Sequence, residues 1–330
     1  MKGTVMKTKI SIGRFLFALG ILSLVACGGG GGSGAPIIEP TGLIYSGVTS
    51  QAIIDSNNAA GLASDAFLGG ESATDLSIFS SFSGPQPMFV REIKLHEVVQ
   101  IFKGELYEMD FNAQRMDSLA IQSEQETVFG DCGGSAIYAV EMDDVNGNFT
   151  GSMTFSDFCN GETTISGTVG LSGQLDVNTS DFLNFNFSIN MVSLASANQS
   201  YVMDGDVSFN VSGTTSTASI GMLMRDNNGE VFWVKDYVLS ISEGVDYVDI
   251  NMSGRFFHPT HGYVDLTTIN QARIYNVYDW PSSGELQIVG ADGTKARLTA
   301  VDENYCEIIA DTNGDDNYDY GPAQMSWHDI

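Results

Sequence analysis

The sequence predicts a mainly β protein: an antiparallel meander forming a curved or half-open sheet, with one or two N-terminal helices packed on it. Three observations carry that expectation. From Ser135 onward, apolar side chains recur at every second position. Short clusters of Asp, Asn, Ser, Pro and Gly punctuate these runs at hairpin spacing. The helix-period patterns lie upstream, before Lys103.

The strands are the clearest elements. Leu183, Phe185, Phe187, Ile189 and Met191 alternate with Asn184, Asn186, Ser188 and Asn190. Tyr201, Met203, Val207, Phe209 and Val211 repeat the theme, as do Ala218, Ile220, Met222 and Met224, and later Val248, Ile250 and Met252. One face is apolar and the other is Asn, Ser, Thr and Asp, which is how an antiparallel sheet with one wet face reads. Turns are expected at 178–181, 226–229, 281–284 and 292–293. Weak self-similarity between 164–173, 202–213 and 248–254 fits recurring hairpins.

Upstream, Leu43–Ile54 is expected to form a strand. Ala59–Phe67 is expected to be a short helix, capped by residues 55–58 and stopped by Gly69 and Gly70. Phe89, Ile93, Val98, Ile101 and Phe102 give a second helical stripe, read as packing on the sheet. The expected organisation is a signal peptide at 1–26, a Gly-rich tether at 27–40, a mixed α/β segment at 41–130 and an antiparallel β body at 131–330.

The N-terminus carries an export pattern. Lys2, Lys7, Lys9 and Arg14 precede an apolar run from Phe15 to Leu24 that is too short to span a bilayer. It ends in Leu24-Val25-Ala26-Cys27, which resembles the lipobox of bacterial lipoproteins, with Cys27 as the lipidated residue. Gly28 to Gly32 begins a flexible spacer. The resemblance implies a membrane partner through the N-terminal lipid. It also implies the cell envelope, with Gly28 after the cysteine favouring the outer membrane.

Charge narrows the partners. The chain has 14 Lys+Arg and 41 Asp+Glu, and the first 26 residues hold four of the bases and no acid. A mature chain with 10 bases against those acids is a poor match for nucleic acid, which needs clustered cations. The remaining protein or ligand partner is not specified by the sequence.

Three cysteines follow Cys27. Cys132 and Cys159 flank a hairpin whose turn, residues 143–147, sits at their midpoint, so equal arms bring them together as a disulfide. Cys306 is then left as a buried thiol, and its pairing with either of the other two is the competing arrangement. Gly130-Asp131-Cys132-Gly133-Gly134 resembles the nucleophile loop of chymotrypsin-fold cysteine proteases, but His96 is the only upstream mature histidine to serve it. His258 and His261, with Asp265 or His328, fall short of a zinc ligand set unless the fold gathers them. The best cation signal is Asp311, Asn313, Asp315, Asn317 and Asp319, oxygen-bearing side chains at alternate positions that suit Ca2+. Asp316 stands where an EF-hand has glycine, and a closing Glu is missing.

Residues 45–52, Asn58-Ala59, Phe158-Cys159, 258–264, 280–284, 290–298 and 311–315 together resemble a loose family of proteobacterial lipoproteins. That likeness implies an all-β extracytoplasmic body and supplies no catalytic residue. The expected function is a non-enzymatic binding or scaffolding role in the envelope. One alternative is a carrier of a lipid or other apolar ligand, in a groove lined by Phe185, Phe187, Met222 and Met224. The other is a hydrolase whose residues carry no recognised motif.

Overall fold

The computed structural model describes residues 42–77, 121–143, 145–160, 163–177, 182–195 and 200–330. The expected signal peptide, Cys27, the expected tether and the stripe at 89–102 lie outside them. Among the described residues, fourteen strands follow one another in chain order in a single antiparallel sheet. They are β1 (Ile121–Phe129), β2 (Gly133–Asp143), β3 (Asn148–Asn160), β4 (Thr163–Leu175), β5 (Phe182–Ala195), β6 (Ser200–Ser212) and β7 (Thr215–Arg225). The second half continues with β8 (Val231–Glu243), β9 (Tyr247–His258), β10 (Gly262–Tyr275), β11 (Ser283–Val289), β12 (Lys295–Ala300), β13 (Tyr305–Asp311) and β14 (Tyr320–Ser326). The sheet is not closed, as β1 and β14 stand at opposite ends of the order. It begins at Ile121, ten residues before the boundary expected at 131, and residues 40–330 form one unit.

Period-two patterning places the core. Phe185, Phe187, Ile189, Val207, Phe209, Ile220 and Met222 are at most 5 % exposed, while their polar neighbours face out. Rings at 149, 182, 185, 187 and 209 form a continuous aromatic chain, with Phe185 and Phe187 edge to face at 4.2 Å.

The expected helix is present but longer. α1 runs from Ala59 to Ser77, through Gly69 and Gly70. Its first turn is held by Asp55, whose carboxylate accepts from the Asn57 and Asn58 amides at 2.7 and 3.1 Å. Ala59, Leu62, Ala63, Ala66 and Phe67 are buried at helical spacing against β7–β13. The glycines are contact points, not stops. A Cβ on Gly69 would stand 3.1 Å from Val234, and one on Gly70 would stand 3.0 Å from Met252 Sδ. Phe67 meets Trp327, which stacks on Trp280 at 5.5 Å.

The strand expected at Leu43–Ile54 is corrected. The segment crosses the sheet instead of lengthening it, and its one ladder contact is a parallel bridge from Gln51 to Tyr263. The Leu43 amide donates to Asp204 of β6 at 2.6 Å. The Tyr45 hydroxyl donates to the His258 carbonyl at 3.0 Å, and its ring lies on Trp233 and Phe257. The Val48 amide reaches Pro259, Ala52 reaches Tyr263, and Ile54 reaches Thr294 Oγ1. These bonds carry a strap from β6 across β9 and β10 to the turn before β12.

Candidate functional site

A line of β-bulges crosses the middle of the sheet. Register shifts occur between Phe155 and Phe158, Ser166 and Thr168, Ile189 and Val192, Ile220 and Met222, and Lys235 and Val238. Asp157, Met191 and Asp236 take φ of 48°, 50° and 53° at these points, with Gly167, Gly205 and Gly254 also left-handed along the line. A bulge bends its strand and increases local twist. The five together bend the sheet, and Gly254 shows how tightly: a side chain there would run into the ring of Tyr237.

Beside this crease, the polar face holds an open trough of about 760 Å³. Two transverse rows run through it, with Thr150 and Ser152 at their ends just outside the lining. Thr150, Ser172, Asn186, Ser208, Ser219 and Val238 are successive ladder partners. In the neighbouring row, Ser152, Gly170, Ser188, Asp206 and Gly221 are partners, and Gly221 faces the bulge that carries Asp236. Asp206 and Asp236 are exposed, and no Lys, Arg or His among the described residues lines the trough. The sequence showed the polar alternation but not the bend that makes it concave.

A second cluster joins α1 to the β9–β10 turn. Asp65 Oδ2 lies 3.7 Å from His258 Nε2. The Thr260 amide donates to His258 Nδ1 at 3.1 Å, which leaves the ring proton on Nε2, toward Asp65. Burial, then the neighbouring His261, lowers the His258 pKa to about 4. Asp65 keeps 39 % of its side chain exposed, yet desolvation, aided by Glu230, raises its pKa to about 6. Asp265 is held instead by Arg255 through two hydrogen bonds, and His328 lies beside Trp280. Among the described residues no three His, Cys, Asp or Glu side chains are arranged to hold a metal.

The loop at 311–319 is organised around Asp311, which is fully buried. Its Oδ1 accepts from the Gly314 amide at 2.7 Å and from Asp315 at 3.2 Å, and its Oδ2 accepts from Asp316 at 2.8 Å. Asn313 Oδ1 accepts from the Asp315 amide, and Asp315 Oδ1 from the Asn317 amide. Asp319 accepts from the Thr312 amide and hydroxyl, bonds that lower its pKa. Asp316 pairs with Lys295. The five expected ligands thus share one loop, with their carboxylates and amides turned to its own backbone.

Cys132 and Cys159 are joined as expected, with Cα atoms 5.2 Å apart. The Cys132 amide also donates to the Cys159 carbonyl, and Gly133 is the ladder partner of Cys159. The bridge removes Cys132 as a nucleophile. Cys306 is a buried free thiol whose pKa burial pushes up to about 11.

No family model, curated protein or solved structure matches this chain.

Proposed function

We propose that this chain is a non-enzymatic envelope lipoprotein that binds a polar ligand in the trough of its wet face. The trough carries the reading. It is of the size of small-molecule sites, and its hydroxyl, amide and carboxylate groups converge on one concavity. The apolar-carrier alternative needs an open groove at Phe185, Phe187, Met222 and Met224, but the first three are 4 %, 2 % and 1 % exposed and Met224 is half-buried against the core. The membrane part of the proposal rests on the lipobox at Cys27 and the Gly-rich spacer after it. No helix among the described residues is long and apolar enough to cross a membrane.

Two experiments test it. Cys27→Ala should move the protein out of the detergent phase and remove the lipid-derived mass; unchanged partitioning would refute the anchor. Melting curves with spermidine, maltohexaose and palmitate, for wild type and Gly221→Trp, test the trough. A rise with spermidine or maltohexaose that Gly221→Trp abolishes supports it. A rise with palmitate that survives the substitution supports the carrier reading, and no rise at all supports a scaffold. Calcium binding at 311–319 has its own test. Millimolar Ca2+ raises the melting temperature of chelator-treated protein if the loop takes the ion, and leaves it unmoved if the backbone amides already complete the loop.

A further inference from the structure

Within that reading of the trough, we propose a ligand class: a linear aliphatic polyamine, lying across the strands with its amino groups on Asp206 and Asp236. Asp206 is the ladder partner of Gly221, and Gly221 faces the bulge carrying Asp236. The two carboxylates therefore flank the glycine across two strand spacings, roughly 10 Å. Between them the floor is open, since a Cβ on Gly221 would meet no atom within 4 Å. Ser188, Ser208 and Ser219 offer hydroxyl oxygens along the same path, and Val238, 42 % exposed, offers apolar surface to methylenes.

Charge selects the class. Among the described residues no cation lines the trough. The nearby cations on β8 and β9 are engaged, Lys235 over the Trp233 ring at 4.8 Å and Arg255 by Asp265. Arg255 also feels the charge of Asp236 without leaving that pair. A concave surface of one sign on a strongly acidic chain concentrates counter-charge. Polyanions are repelled. A neutral sugar would want an aromatic platform, but Phe187 and Tyr237 on these strands are 2 % and 0 % exposed and point into the core. Ammonium groups carry only donors, which suits a lining of carboxylate and hydroxyl oxygens.

The test is calorimetric titration of the full lipoprotein in non-ionic detergent with spermidine, at low and physiological salt. The expected result is saturable one-to-one binding that weakens with salt. It should be about tenfold weaker in Asp206→Asn and in Asp236→Asn, and lost in Gly221→Trp with the melting temperature kept. Ser188→Lys, which sets an ammonium beside Asp206 on an exposed position, repeats the test without filling the floor. Binding that is unsaturable, or untouched by these substitutions, would mean diffuse counterion attraction and overturn the assignment. If spermidine does not bind but maltohexaose does, and Gly221→Trp abolishes it, the trough reading stands and the polyamine is wrong. If Gly221→Trp changes binding of neither, both fail.

Discussion

Asp65 on α1 and His258 on β9 face each other at 3.7 Å, and the fold moves their pKa values in opposite directions, to about 6 and about 4. The carboxyl is therefore harder to ionise than in the unfolded chain, and the imidazole harder to protonate.

The two effects oppose each other between about pH 4 and pH 6. Asp65 binds its proton more tightly when folded, so its contribution to stability falls as pH rises through that window. His258 is neutral in the fold and protonated in the unfolded chain there, so its contribution rises with pH. Asp65→Asn should leave a melting temperature that climbs more steeply from pH 4 to 6, and His258→Gln one that climbs less or falls. Thermal melts across that range check this, and parallel profiles for the three proteins would refute it.

Removing the Cys132–Cys159 bridge by a double Ser substitution should cost about 2–4 kcal/mol in urea unfolding. Peptide mapping without reductant should show that cross-link, and Cys306 should react with iodoacetamide only after unfolding, given its burial. A cross-link containing Cys306 would contradict the structure.

Asp311→Ala should destabilise the chain by about 3 kcal/mol, because it strands the amides of Gly314, Asp315 and Asp316 that its buried carboxylate receives. Asp315→Ala, on an exposed side chain, should cost under about 1 kcal/mol. Urea midpoints measure both without added metal, and equal losses would show that Asp311 does not organise the loop.

Gly69→Leu and Gly70→Leu should each cost about 1–3 kcal/mol by forcing α1 off Val234 and Met252. Gly61→Ala, where a Cβ meets nothing within 4 Å, should stabilise by about 0.4–1 kcal/mol. Paired chemical denaturation separates packing from helix propensity.

The strands and the disulfide were legible because their signals are local. Alternation along Phe185–Ile189 assigns faces, although it fails at its ends, where Leu183 is 42 % exposed and a bulge at Met191 buries Val192 instead, and the 143–147 turn sets which cysteines meet. The Asp143 carboxylate does accept from the Val145 amide at 2.9 Å, as such a turn requires. The trough was not legible, because Asp157, Met191 and Asp236 hold left-handed backbone that no local residue choice announces. Gly69 and Gly70 read as a stop because their use, admitting Val234 and Met252, lies in partners more than 160 residues away. Leu43–Ile54 read as a strand because Ile44, Tyr45, Val48, Thr49 and Ile53 favour one. Nothing in them says that the chain crosses the others.

That crossing has a mechanical consequence. Tension on the chain ahead of Gly42 would enter the body through the strap, not along a strand. The Leu43–Asp204 hydrogen bond takes the load first, then Tyr45 at His258, then the amides of Val48 and Ala52. These attachments would yield one at a time, like a zip, before force reached α1. The strap would give way, bond by bond, before such a pull reached the sheet's own ladders.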